Sequence, residues 1–264
     1  MSESIPAVIC LSGGLDSTSL LLHLIASGRQ IYGLSFDYGQ KHKLELTRLQ
    51  ANLEYLGKAG FSIQWQVIDL SSLSTLLYSA LVSDDWEVPS GHYESENMKQ
   101  TVVPNRNAIF ASIAFAYALS ISQKSNTRVE ICLGVHSGDH AIYPDCRPEF
   151  YDAIFLAFQI GNWDSELVSL YLPYLKYDKF KILQDAKNSI AKLGLDFNQV
   201  FANTLTSYAP DSDGKSAGLT GSDVERILAF DQLGVPDPIE YLSDWKTMVQ
   251  QARALESDFK TQNK

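Results

Sequence analysis

Leu11-Ser12-Gly13-Gly14-Leu15-Asp16-Ser17-Thr18 is the stretch on which the reading of this chain turns. It follows the apolar run Ala7-Val8-Ile9-Cys10 and precedes Leu20-Leu21-Leu22-His23-Leu24-Ile25. A β-branched run, two glycines and a leucine-rich segment spell strand, tight loop, helix. Gly13 and Gly14 let the backbone turn its N–H groups outward, and Ser12, Asp16 and Ser17 are positioned to cap the helix start. Outward amides at the positive end of a helix dipole make an anion site, most often for phosphate. The plainer alternative is a capped turn with no ligand. A second phosphate motif fails: Gly214-Lys215-Ser216 ends like a Walker loop, but its leading glycine position is Ala209 and no strand precedes it.

Working outward, Gly28 closes the first helix and Ile31–Phe36 reads as a second strand. Leu46, Leu49, Leu53 and Leu56 recur at helical spacing, and Ile63, Trp65 and Val67 alternate as a third strand. Strand and helix in alternation imply right-handed crossovers and a parallel, doubly wound α/β sheet. Its ligand site lies beyond the carboxyl ends of the strands, where the first loop sits. Residues 83–101 are polar and are expected to form a surface excursion. Helices are expected from Pro104, over 148–160, 178–193, 222–233 and 239–258. Val129–Val135 and Leu170–Pro173 are expected as strands.

The chain has 264 residues, 45% of them hydrophobic, enough for a sizeable core. Its 31 acidic against 21 basic residues leave a net charge of −10, which argues against a nucleic-acid surface. No apolar run approaches membrane-spanning length, and no secretory signal pattern opens the sequence. Cys10, Cys132 and Cys146 are odd in number and widely spaced, which suits a reducing cytoplasm without disulfides or paired metal thiolates.

Four stretches stand in one order: Ser12–Ser17, Phe36-Asp37-Tyr38-Gly39-Gln40-Lys41-His42, Val103-Pro104-Asn105-Arg106-Asn107, and Tyr143-Pro144-Asp145-Cys146-Arg147-Pro148-Glu149-Phe150. Ser-Gly-Gly-x-Asp-Ser after a first strand resembles the pyrophosphate loop of the adenine-nucleotide α-hydrolase-like ATP pyrophosphatases. The four stretches together resemble the 7-cyano-7-deazaguanine synthase family over about residues 5–235. That resemblance implies adenylation of the carboxylate of 7-carboxy-7-deazaguanine by ATP and Mg²⁺, then attack by ammonia. It implies an α/β domain over 1–200, a helical C-terminal region over 201–264, and a homodimer. It casts Ser12, Gly13, Gly14, Asp16 and Ser17 as the ATP loop, with Lys179 facing the phosphates. Arg106 suits a bidentate grip on a carboxylate or phosphate. Asp139 and Asp145 suit a guanine-like ring edge, Tyr143 stacking on it, and Arg147 the substrate carboxylate. Tyr38 and Gln40 follow the second strand at the same sheet end. His42 is a weaker acid–base candidate, and Cys146 has no adjacent base that would make it a nucleophile. The plain structural alternatives are a solvated Lys179, and a turn, helix cap and local ion pair for 145–149.

The resemblance breaks at one place. Typical members carry a structural zinc on four cysteines near the C-terminus. Here Ser207, Ala217, Thr220 and Asp223 stand at those positions, and this set cannot replace thiolates as zinc ligands. Asn105 for the usual glycine and His136-Ser137-Gly138 before Asp139 also depart from the pattern. The expected ligands are therefore ATP and Mg²⁺ without zinc. Four functions remain open: a synthase using ammonia, a ligase passing the activated base to a protein amine (relatives are associated with bacterial antiviral defence), a different adenylating enzyme of the same loop superfamily, against which the acidic charge counts for tRNA, and a non-catalytic nucleotide- or nucleobase-binding subunit.

Overall fold

The structure is a computed structural model that describes residues 4–40, 44–82, 96–138, 143–207, 211 and 214–262. The first three strands, β1 (Ala7–Cys10), β2 (Ile31–Asp37) and β3 (Ile63–Asp69), pair in parallel with Ala7 opposite Ile31 and Ile31 opposite Ile63. β4 (Val129–Cys132) joins the other edge of β1, and β5 (Val168–Tyr171) joins β4, so the order is β3-β2-β1-β4-β5. The order reverses between β1 and β4, and a crevice opens there at the carboxyl ends of the strands.

Strand β1 shows why the sheet is covered on both faces. Ala7 and Ile9 join one buried cluster and Val8 the other, and none of the three is exposed. On the first face lie α1 (Leu15–Ala26), α2 (Leu44–Lys58) and α5 (Lys179–Leu193). The short α6 (Phe197–Ala202) and α7 (Gly221–Leu233) pack behind them through Phe201 and Phe230. The second face carries α3 (Arg106–Ser125) and α4 (Pro148–Gly161), with Ala114, Phe115 and Tyr151 buried against Val8 and Leu34. The expected parallel α/β fold is the one observed. No helix among the described residues is long and apolar enough to cross a membrane.

Several boundaries differ from the sequence reading. The strand expected to reach Val135 ends at Cys132, opposite Tyr171, the last residue of β5, and Ile9 of β1; Leu133, Gly134 and Val135 instead line the crevice. The strand expected at Leu170–Pro173 starts earlier, at Val168, where Val168 pairs with Val129. The helix expected from 239 starts only at Trp245, as α8 (Trp245–Gln262). Asp244 caps it, accepting from the Thr247 N–H at 3.1 Å, while Tyr241 is held in a bridge with Ser216. Of the polar stretch 83–101, residues 83–95 lie outside the described residues. Glu96–Thr101 forms a 3₁₀ turn that buries Met98 and Thr101 and leaves Lys99 and Gln100 exposed.

Candidate active site

The first loop departs from a capped turn. Gly14 is the N-cap of α1 and supplies no side chain, and Ser12 and Ser17 are tied to each other at 3.1 Å instead of capping. Ser12 Oγ accepts from the Gly14 N–H at 3.2 Å, and Ser17 Oγ donates to the Gly14 carbonyl at 3.3 Å. The serines thus brace the loop, and the first amides of α1 are left to an anion. Gly13 has φ +88°, and a Cβ there would stand 2.5 Å from the Glu45 carbonyl oxygen. Only glycine fits that position. Gly134 allows a second close approach, its missing Cβ falling 3.3 Å from the Asp16 backbone.

Asp16 and Lys179 meet across the crevice. Lys179 opens α5 after Asp178, which accepts from the Lys181 N–H at 2.8 Å, and the lysine is 5% exposed. That excludes a solvated side chain. Its Nζ donates to Asp16 Oδ2 at 2.7 Å, lies 3.3 Å from Glu225 Oε2 and stands 3.0 Å from His136 Nε2. Burial works against the charge on Asp16, but Lys179 and His136 outweigh it and hold the carboxyl below the usual carboxylate range. The second oxygen, Asp16 Oδ1, is buried with no hydrogen-bond partner. One carboxylate oxygen without a partner, beside unused helix amides, fits a Mg²⁺ held jointly by the protein and the phosphates of a nucleotide.

A cavity of about 280 Å³ joins the four motif stretches. Ser12, Gly14, Asp16 and Ser17 line it from the first loop, Tyr38 and Gln40 from the second, and Arg106 with Asn107 from the third. Tyr143, Cys146 and Lys179 complete that set. Tyr143 is buried, its hydroxyl 2.6 Å from Thr101 Oγ1, so it presents its ring as a wall. Gln40 is spent partly on its own turn, accepting from the Tyr38 N–H at 2.9 Å. Gly13 lies beneath the loop and not in the wall. Asp145 and Arg147 also stand outside the wall, Arg147 exposed and Asp145 with one buried oxygen, Oδ1, that has no partner. Asp139 and His42 fall outside the described residues. Asn105 takes the left-handed conformation at φ 58°, which asparagine tolerates and glycine adopts freely, so its exchange for glycine preserves the turn into α3.

Several lining residues escaped sequence reasoning. Glu45 comes from the first turn of α2, and Leu205, Thr206, Ser207, Ser222 and Glu225 come from the C-terminal region. Residues 203–207, after α6, form a strap stitched directly to the first loop, since the Leu205 N–H donates to the Gly13 carbonyl at 3.1 Å. His136 is 1% exposed, with Nε2 3.0 Å from Lys179 Nζ and 3.6 Å from Asp16 Oδ2. Its sequence signal was an oddity of pattern, with nothing to say that it touched a lysine 43 residues away.

The positions that would carry zinc hold a hydrogen-bonded knot. Asp223 Oδ2 accepts from Ser207 Oγ at 3.0 Å, Thr220 Oγ1 at 2.6 Å and the Thr220 N–H at 3.2 Å. Burial raises the Asp223 carboxyl above its usual range against the pull of these donors. Hydroxyls and one carboxylate do not make a zinc site, and no His, Cys, Asp and Glu cluster suited to a metal occurs among the described residues. Beside the knot, Arg226 and Asp237 form an ion pair with no exposure of either side chain.

A parallel sheet in the order β3-β2-β1-β4-β5 with a Ser-Gly-Gly-x-Asp-Ser loop at its switch point defines a doubly wound α/β protein with a loop shaped for an anion. Within that class, the sequence profile described as "Queuosine biosynthesis protein QueC" matches residues 6–234. The 7-cyano-7-deazaguanine synthase of Marinomonas sp. (strain MWYL1) is 42% identical over 91% of this chain and 99% of its own. 7-Cyano-7-deazaguanine synthase 2 of Colwellia psychrerythraea is 43% identical over 89% of this chain and 97% of its own. The 7-cyano-7-deazaguanine synthase of Methanoregula boonei is 42% identical over 89% and 98%. The chain belongs to the QueC family. Among solved structures, NMN synthetase from Francisella tularensis covers 96% of this chain and 84% of its own at TM-score 0.40 and 16% identity, a likeness too weak to carry an argument.

Proposed function

We propose that this chain is an ATP-dependent carbon–nitrogen ligase that adenylates the carboxylate of 7-carboxy-7-deazaguanine and passes the acyl group to ammonia. The observation that carries this reading is the single cavity joining the anion loop, Arg106, the Tyr143 wall and buried Lys179. In it the loop amides and Lys179 neutralise the triphosphate, and Asp16 Oδ1 supplies the protein's oxygen to Mg²⁺. Mg²⁺ contributes charge neutralisation of the leaving pyrophosphate. Arg106 orients the substrate carboxylate for attack on the α-phosphate, and the mixed anhydride then has AMP as a good leaving group. A second activation of the amide would give the nitrile that the relatives are named for. The protein acts in the cytoplasm as a homodimer, a state that sedimentation measures directly.

The test is mass spectrometry of reactions with ATP–Mg²⁺ and 7-carboxy-7-deazaguanine, with and without ammonium. Nitrile or amide appearing only with ammonium supports the reading. ATP left intact under every condition overturns it in favour of a binding subunit. A second reading, transfer to a protein amine, is favoured by one observation: Ser207, at a position where the family resemblance implies a zinc thiolate, stands in the cavity wall. A base-sized mass added to a protein would select it.

A further inference from the structure

Three carboxylates among the described residues line the cavity: Asp16, Glu225 and Glu45. The first two are engaged with the same ammonium, that of Lys179, at 2.7 and 3.3 Å. Glu45 is different. It lies in the first turn of α2, whose backbone is pressed onto Gly13 so closely that any side chain there would strike the Glu45 carbonyl. Its position is therefore locked to the nucleotide loop. Its carboxyl shares the wall with Tyr38, Gln40 and Arg106, and the described residues give it no hydrogen-bond partner. Burial pushes this carboxyl up to about 8, with Arg106 pulling the other way.

A carboxylate held beside the anchor for the substrate's carboxylate, and spared from the phosphate-binding lysine, has an obvious chemical opening. Nitrogen transfer needs a base, because the nitrogen that attacks an acyl group must shed a proton as the new bond forms. Asp16 and Glu225 both face the Lys179 ammonium, at 2.7 and 3.3 Å. We propose that Glu45 is the general base of the nitrogen-transfer step, an assignment that rests on the ligase reading above. The ammonia lone pair forms the C–N bond, the acyl–oxygen bond breaks with its electrons leaving on AMP, and one N–H proton passes to Glu45. The carboxyl then returns that proton to solvent.

The two half-reactions separate this role from a structural one. Adenylation is read as exchange of labelled pyrophosphate into ATP that depends on 7-carboxy-7-deazaguanine, and transfer is read as product mass with ammonium. Glu45→Gln keeps shape and removes the base. It should retain exchange within about threefold of wild type while product formation falls about 10²–10⁴-fold, the usual span for a lost general base. Glu45→Asp should recover part of the loss. Product at the wild-type rate from Glu45→Gln would overturn the assignment, as would loss of exchange and transfer together. Wild-type protein that shows no substrate-dependent exchange would overturn the ligase reading itself, and the base assignment with it.

Discussion

Arg226 is the residue whose removal should most damage this protein without touching a ligand. Its guanidinium has five N–H donors. Nε donates to Asp237 Oδ2 at 2.6 Å and Nη2 to Asp237 Oδ1 at 2.9 Å. Nη1 donates to the hydroxyls of Thr204 at 2.8 Å and Thr206 at 2.9 Å, and Nη2 also to the Phe201 carbonyl at 3.3 Å. Burial opposes its charge, yet Asp237 raises its pKa, so the guanidinium keeps its charge. Arg226→Met leaves Asp237 as an uncompensated buried charge, a change that costs about 3–5 kcal/mol. For a chain of this size that lowers Tm by about 6–20 °C, at about 2–4 °C per kcal/mol. Thermal and urea unfolding at fixed protein concentration measure it. Because Arg226 also pins the strap that lines the cavity, ATP-dependent activity should fall at temperatures where the variant is still folded. Arg226→Met combined with Asp237→Leu should regain most of the stability, since an apolar pair of similar volume removes the stranded charge. A single variant within about 1 kcal/mol of wild type, the range of an exposed ion pair, would refute the argument.

Asp16→Asn should cut pyrophosphate release at least about 10²-fold, because the lost charge acts on the nucleotide, and should also lower the urea midpoint, because the folded state holds the Asp16 carboxyl below its usual pKa and so draws stability from its charge. Sustained turnover would show that the loop assignment is mistaken. Gly13→Ala forces a left-handed φ on a residue whose Cβ meets a carbonyl oxygen at 2.5 Å, so it should cost about 1–3 kcal/mol and abolish nucleotide binding, read by calorimetric titration. For Asp223, the folded pKa lies above the unfolded one, so the folded state holds the proton longer. Its contribution is fully present below the ordinary carboxylate pKa and is lost as pH rises through the raised value. Asp223→Asn lacks this titration and should gain stability relative to wild type as pH climbs from about 4, measured as the difference in urea midpoint across pH 4–8. A pH-independent difference would remove Asp223 as a titrating group. Chelators should leave the Tm of the wild-type protein unchanged.

What the sequence determined by itself is whatever neighbouring residues decide together. The apolar run Ala7–Cys10, the glycines after it and the leucines behind them specify strand, loop and helix within about twenty residues, because backbone freedom and side-chain alternation act locally. Repetition of that unit was enough to read a parallel sheet, and the order of four short motifs was enough to read the family. The tertiary structure decided the rest. β4 stops at Cys132, where β5 also ends, and α8 starts late because Tyr241 is bridged to Ser216 and bonds Asp237 at 2.7 Å. Glu45, His136 and Glu225 carry no local mark of a site. They become part of one, or touch one, through contacts between α2, the turn after β4, α5 and α7, and a contact between distant segments leaves no trace in the period of either. The knot at Asp223 shows the same limit. Missing thiolates were legible as an absence, but that Ser207, Thr220 and Asp223 bond to one another depends on the strap folding back against α7.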